Sequence, residues 1–324
     1  MQVLVVGYGS IGKGHVYNLL KLDNISKILI FTTSSAQIGI PDVNRKAEFV
    51  DSLAHPLINS INVDFAIVAN ETYKHMDTAI FLAEKGINLF IEKPLSHNLD
   101  KIELLEETVR RKKLKTFIGY NLRFLGAIEY IKTKLSQKIV GDLYFARIEV
   151  GQYLPLWRPD TDYRKSYSAS KSRGGGVALD LSHEVDYMRY LFGNPHNWKV
   201  VRSKVSKLEI DSEDLFEGIY KYDNGFICNV HMDYLQSIKK REIRVEGSEG
   251  TILADLVKKN IKITGKDGKE LLVSDANMFN VEQTYVDELS YFIKYLKGEA
   301  EPFITLNDGV NTLKLLEDRY VSKS

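Results

Sequence analysis

Three glycines in the stretch Gly7-Tyr8-Gly9-Ser10-Ile11-Gly12 constrain this chain more than anything else in it. They follow the apolar run Val3–Val6 and precede a stretch with helical periodicity. In a strand–turn–helix unit the first glycine makes the tight turn. The second lets main-chain amides approach a pyrophosphate, and the third lets the helix pack closely on the strand. The helix N-terminus then offers N–H groups and a positive dipole end to phosphates. Residues Gly7, Tyr8, Gly9, Ser10, Ile11 and Gly12 are therefore candidates for a dinucleotide cradle; the plainer reading is a tight turn with no ligand.

The rest of the first third fits that unit. Val3–Val6, Lys27–Phe31, Phe65–Ala69, Leu89–Ile91 and Thr116–Ile118 are short, apolar and partly β-branched, and are expected as buried strands. Gly12–Lys21, His75–Glu84 and Asp100–Lys113 carry helical periodicity with charged outer faces. Strands and helices in alternation at this spacing predict a parallel, doubly wound α/β sheet. After Tyr120 the pattern changes to α+β. A helix over Gly126–Leu135 and a strand over Leu143–Val150 lead into a loop rich in Tyr, Trp, Arg and Ser. A helix is expected from about Asp180 to Leu191, stopped by Gly193-Asn194-Pro195. Strands are expected at Phe216–Tyr222 and Phe226–Met232, joined at Asn224-Gly225, then at Arg241–Glu246, Thr251–Asp255 and Asn260–Thr264. Helices near Val281–Leu296 and Asp308–Tyr320 close the chain. The expected domains are 1–120 for dinucleotide binding and 121–324 for substrate binding and oligomerisation.

Composition narrows the partners. Against 44 Lys+Arg stand 43 Asp+Glu, a net charge of +1 that speaks against a phosphate-backbone partner. The single cysteine, Cys228, allows neither an internal disulfide nor a thiolate metal cluster, so no metal is expected and a reducing compartment is. No signal-like start and no apolar run of membrane-spanning length is evident, which predicts a soluble, cytoplasmic protein without a membrane partner.

Four further groups bear on chemistry. Between Asn24 and Pro41 there is no Asp or Glu to meet a ribose 2′-hydroxyl, and the second strand ends in Thr32, Thr33 and Ser34. Hydroxyls there suit a 2′-phosphate and favour NADP over NAD, or else they cap the next turn. Lys93 ends an apolar strand, where a lysine points into the ligand crevice and its ammonium can donate to a hydroxyl or carbonyl oxygen. On one helix, Asp180, His183 and Asp186 would share a face. A carboxylate there can fix the imidazole tautomer for acid/base work, or Asp180 can serve only as the N-cap. In the loop, Tyr153, Trp157 and Tyr163 suit the C–H faces of sugars, and Arg158 and Arg164 suit carboxylate or diphosphate groups. The same aromatics could instead pack on the sheet.

Taken together, these features resemble the glucose–fructose oxidoreductase / inositol dehydrogenase (Gfo/Idh/MocA) family over nearly the whole chain. The resemblance rests on the glycine turn followed by His15, on Asn70-Glu71-Thr72 with His75, and on Glu92-Lys93-Pro94. It extends to Gly119-Tyr120-Asn121-Leu122-Arg123-Phe124 and to the triple glycine before His183. The stretch Tyr153–Pro159 with Asp162-Tyr163-Arg164 is similar to members of surface-polysaccharide and nonulosonate-type sugar pathways. It implies a Rossmann domain followed by a large, mostly antiparallel open sheet whose outer face forms a homodimer or homotetramer. It also implies cofactor contacts at Asn70, Thr72, His75, Glu92 and Lys93, with a cis Lys93–Pro94 bond. Lys93 would be the active-site lysine, His183 the proton-exchanging histidine, and Asn121 and Arg123 neighbours of nicotinamide and substrate. Many members place an aspartate four residues before that histidine, whereas here Asp180 stands three before it and Leu179 occupies the other place.

The expected activity is NAD(P)-dependent hydride transfer at a sugar or nucleotide-sugar carbon. The alternatives are a reductase of a non-sugar ligand on the same fold and a dinucleotide-sensing protein without turnover.

Overall fold

A computed structural model of the chain describes residues 1–33, 46–53 and 62–317. These form two compact units: Met1–Gly119 with Tyr285–Val310, and Tyr120–Thr284 with Asn311 onward.

In the first unit the strands are β1 (Gln2–Val6), β2 (Lys27–Phe31), β3 (Ala47–Val50), β4 (Phe65–Val68), β5 (Asn88–Glu92) and β6 (Thr116–Gly119). They make a parallel sheet in the order β3-β2-β1-β4-β5-β6. Buried on both faces, β1, β4 and β5 read as unbroken apolar runs, which is why they were visible in the sequence. Chain order reverses between β1 and β4, the place where such sheets bind ligands beyond the strands' carboxyl ends. Helices among its described residues include Ser10–Leu20, His75–Glu84 and Ile102–Lys112.

The chain returns to this unit within the helix Val281–Lys297. Phe292 there is fully buried, its ring 5.3–5.8 Å from those of Phe65, Phe90 and Phe117. The span 121–324 read from the sequence as one domain is thus interrupted by Tyr285–Val310.

The second unit carries an eight-stranded sheet in the order β14-β13-β12-β11-β7-β10-β9-β8. Its strands are β7 (Leu143–Gly151), β8 (Asn197–Ser203), β9 (Leu215–Lys221), β10 (Ile227–Asp233), β11 (Lys240–Gly247), β12 (Gly250–Asp255), β13 (Asn260–Gly265) and β14 (Glu270–Val273). All neighbours are antiparallel except β7 and β10. The Asn224-Gly225 turn joins β9 to β10 as expected, with Gly225 at φ +84°. Strands β3, β8 and β14 were not expected. Each is a short or edge strand with little continuous apolar character, formed because a neighbour offers a ladder.

The helix expected from Asp180 is two pieces. A single turn, Val177–Asp180, is followed by a break at Leu181-Ser182 and then the helix His183–Phe192. The short turn is anchored from outside by Val177 N–H donating to the Glu213 carbonyl at 3.1 Å, and Gly176 enters it at φ +118°. Asp180 closes one helical turn and His183 opens the next, so the one-helix geometry assumed for the pair does not apply. Among the described residues no helix is long and apolar enough to cross a membrane.

Candidate active site

The glycine turn has the geometry its spacing implies. Gly7 sits at φ +100°, and a Cβ there would lie 2.4 Å from the Ala69 carbonyl oxygen. A Cβ on Gly12 would lie 2.0 Å from the Gly7 oxygen, so the helix Ser10–Leu20 docks backbone to backbone. Gly9 is different: nothing stands within 4 Å of where its Cβ would be. It is the exposed lip of the turn, beside exposed Ser10 and Ile11, and no acidic residue occupies the first helical turn. A dinucleotide's phosphates fit this lip, because main-chain N–H groups and the dipole are presented without competing charge. Tyr8 is buried, edge-on to Phe49 at 5.1 Å. Thr32 and Thr33 follow β2 at the same sheet edge; Ser34 lies outside the described residues.

Lys93 follows β5 directly, half-buried, in cis peptide linkage to Pro94. The glycine turn after β1 and Asn70 after β4 stand at the same carboxyl edge. His75 braces that edge from behind. Fully buried, it reaches through Nδ1 to the Pro94 carbonyl at 3.0 Å and through Nε2 to the Asn70 carbonyl at 2.9 Å. Burial pushes its pKa down and favours the neutral ring, in which only one of the two nitrogens donates at a time, so one of these two contacts is a hydrogen bond and the other is not. Asn70 in turn donates to Thr78 Oγ1 at 2.9 Å, and Thr72 is buried at the start of the 3₁₀ turn that precedes His75. Glu92, also buried, meets His15 Nε2 at 2.5 Å.

In the second unit His183 opens the helix His183–Phe192 with its ring edge-on to Tyr120 at 5.7 Å. Asp180 accepts from the Tyr234 hydroxyl at 2.6 Å and lies beside the Tyr167 phenol. The Asp180 carboxylate, aided by burial, holds the Tyr167 phenol far above its ordinary pKa, so that phenol stays an O–H donor. Asn121 donates to Thr284 Oγ1 at 2.7 Å. Arg123 forks onto Asp186 at 2.7 and 2.8 Å, a buried bidentate pair, so Asp186 serves the arginine.

The loop divides its work. Trp157 packs edge-on against Tyr234 at 5.1 Å and donates from Nε1 to the Gln152 carbonyl. With Leu154, Arg158 and Tyr163 it lines a shallow depression. Arg158 and Tyr153 are exposed, whereas Arg164 is tied to Asp162 at 2.8 and 3.0 Å. Sequence reasoning missed Tyr234, Thr284 and Glu288. Each acts through a partner remote in the chain; the one available hint was Glu288 placed on the apolar stripe of its helix, four residues before Phe292.

Residues 1–120 match the oxidoreductase family with NAD-binding Rossmann fold, and residues 128–253 match the GFO/IDH/MocA C-terminal domain. This chain belongs to the Gfo/Idh/MocA family. It is an oxidoreductase with an NAD-binding Rossmann domain. It is 26% identical to a myo-inositol 2-dehydrogenase of Thermotoga maritima, over 97% of this chain and 94% of that one. It is 22% identical to the scyllo-inositol 2-dehydrogenase (NAD(+)) of Bacillus subtilis, over 97% and 92%. Its fold is similar to that of the WlbA dehydrogenase of Bordetella pertussis, solved with NADH and UDP-GlcNAcA. The TM-score is 0.84 at 18% identity, covering 98% of this chain and 93% of that one.

The glycine geometry makes a contrast that binding and folding can test. Gly9→Ala should leave stability within about 0.5 kcal/mol, since its Cβ meets nothing, yet weaken dinucleotide binding in calorimetry. Gly12→Ala should lower the denaturation midpoint sharply, because its methyl would meet the Gly7 carbonyl. Equal unfolding curves for the two variants would refute this account of the turn.

Proposed function

We propose that this oxidoreductase moves a hydride between a nicotinamide dinucleotide, NADP(H) preferred, and a carbinol carbon of a sugar or nucleotide sugar. The observation that carries the reading is Lys93: half-buried, directly after β5, at the same carboxyl edge as the glycine turn. The bound dinucleotide supplies the hydride acceptor or donor. Gly9, Ser10 and Ile11 receive its phosphates, while Thr32, Thr33 and Ser34 receive the ribose end. The Lys93 ammonium donates to the reacting oxygen and polarises it. His183 takes the hydroxyl proton in oxidation and returns it in reduction, the work of a positioned imidazole. Asp180, held by the Tyr234 hydroxyl, contributes its negative charge to this part of the site, and Asn121 and Arg123 shape the substrate's surroundings. The exposed Arg158 beside Trp157 and Tyr163 supports an acidic or diphosphate-bearing sugar. The inositol substrates named for two relatives, and the UDP-sugar acid in the Bordetella structure, agree with a polyhydroxylated substrate.

The outer face of the second sheet supports self-association. Val201 on β8, Ile219 on β9 and Leu253 on β12 point outward and are 59%, 51% and 40% exposed. A homodimer or homotetramer through this face would cover them. Light scattering should give a multiple of the chain mass that falls on Ile219→Lys. A monomeric wild type would reject this surface.

Turnover with a panel of nucleotide sugars and cyclitols, followed by nicotinamide absorbance, tests the chemistry. Lys93→Ala and His183→Ala should each cut it by about 10²–10⁴-fold with dinucleotide binding retained. Unchanged turnover in either variant removes that residue from the mechanism.

Cofactor choice is tested separately. NADPH should bind more tightly than NADH, and Thr33→Asp should reverse the order by repelling the 2′-phosphate. A tenfold preference of the wild type for NADH would overturn the reading of this loop, and the NAD(+) and NADH named for two of the similar proteins make that comparison direct.

A further inference from the structure

Behind Lys93 lies a buried acid that the chemistry above does not use. Glu288, on the helix Val281–Lys297, is 0% exposed, and neither carboxylate oxygen has a hydrogen-bond partner among the described residues. It faces Glu92 and His15: one ligand atom of each of the three lies within 4.8 Å of the others. Among the described residues, further titratable neighbours are Tyr285, whose ring is 6.4 Å from that of His15, His75, which feels the Glu92 charge, and Lys93, whose amide bonds Glu92. No lysine or arginine is part of the trio.

We propose that Glu288 is a carboxylic acid that keeps its proton at neutral pH, and that with His15 it positions the Glu92 carboxylate under the Lys93 main chain. Two ionised carboxylates this close and this deeply buried repel each other; one of them holds a proton instead. The hydrogen-bond donors gather at Glu92, which meets His15 Nε2 at 2.5 Å and accepts from the Lys93 amide at 3.2 Å. It is also wedged against β6, where a Cβ on Gly119 would stand 3.0 Å from its oxygen. Glu288 has no such donors. Burial first, and then the Glu92 charge, drive its pKa well above the ordinary carboxylate range.

A metal ion held by the same trio is the competing occupant. Nitrogen and oxygen ligands of a tetrahedral zinc, each about 2.0–2.2 Å from the ion, stand roughly 3.4 Å apart. The 2.5 Å between His15 and Glu92 is too short for two ligands of one ion and is nearer the about 2.7–2.9 Å of a charge-assisted N–H···O hydrogen bond. Glu288 is thus a positioning residue. It acts on Lys93 only through Glu92.

The sign of the pH dependence follows. A group whose folded pKa is raised contributes stability that is fully present below its unfolded value, about 4.3 for Glu, and is lost as pH rises toward the folded value. Glu288→Gln, a neutral isostere of the acid, lacks that loss. Its melting temperature should therefore gain on that of the wild type steadily from pH 5 to pH 8. The wild type at neutral pH should show an infrared band of a protonated carboxyl that Glu288→Gln lacks. The alkaline limb of kcat should move to higher pH in the variant. That last effect rests on the role proposed for Lys93, whereas the infrared and melting readouts do not. Glu288→Met, neutral and apolar, serves the same comparisons should the Gln variant fail to fold, and the wild-type band stands by itself. Parallel melting profiles with no protonated-carboxyl band would overturn the proposal. So would a stoichiometric metal in elemental analysis of the wild type that Glu288→Gln loses.

Discussion

The first unit depends on a contact between two pieces of backbone. The helix Ser10–Leu20 can lie against the end of β1 only because Gly12 brings no side chain to the Gly7 carbonyl, where a Cβ would stand at 2.0 Å. That close approach sets the depth of the helix. Its depth puts His15, three residues later, within 2.5 Å of Glu92 at the end of β5. Glu92 in turn receives the Lys93 amide. A turn commonly understood as a phosphate cradle therefore also governs a lysine some eighty residues away in the chain, through helix, histidine and carboxylate.

The second unit solves a different problem, which is how to hold charge inside. Arg123 and Asp186 are both almost fully buried, and each answers the other with two parallel bonds. Removing one partner of such a pair leaves an uncompensated charge at a cost of about 3–5 kcal/mol. The break at Leu181-Ser182 separates Asp180 from the helix that His183 opens and turns its carboxylate to Tyr234 and Tyr167. Two phenols then supply what a helix N-terminus would otherwise have given. The aromatic loop shares this logic: Trp157 packs on Tyr234, while Arg158 next to it stays exposed.

Much of this was legible in the chain because the signals are local. The strands β1, β2, β4, β5 and β6 are short apolar runs, and the turn between β9 and β10 is announced by Asn224-Gly225. Strand β14, with Leu271 and Leu272 largely exposed, has no such signal. It forms by pairing with β13, and no short window of sequence describes a partner strand. The helix after the triple glycine is a subtler case. Its periodicity runs through Leu181 and Ser182 without interruption, yet the backbone leaves the helical conformation at Leu181, with φ −103° and ψ 24°.

By itself the sequence determined the parallel α/β sheet, the glycine turn that could hold a dinucleotide, the place of Lys93 at a strand's end, and the family. Each is assembled from local signals (apolar runs, turns and short motifs), where spacing dictates geometry. Tertiary structure alone decided that Tyr285–Val310 belongs with the first unit, that Asp186 answers Arg123, and that Glu288 faces Glu92 across nearly two hundred residues of chain. The physical reason is that the state of a buried charge depends on what surrounds it in space. Glu288 reads in the sequence as one more acid on a helix, and only its burial against Glu92 in the folded chain raises its hold on a proton.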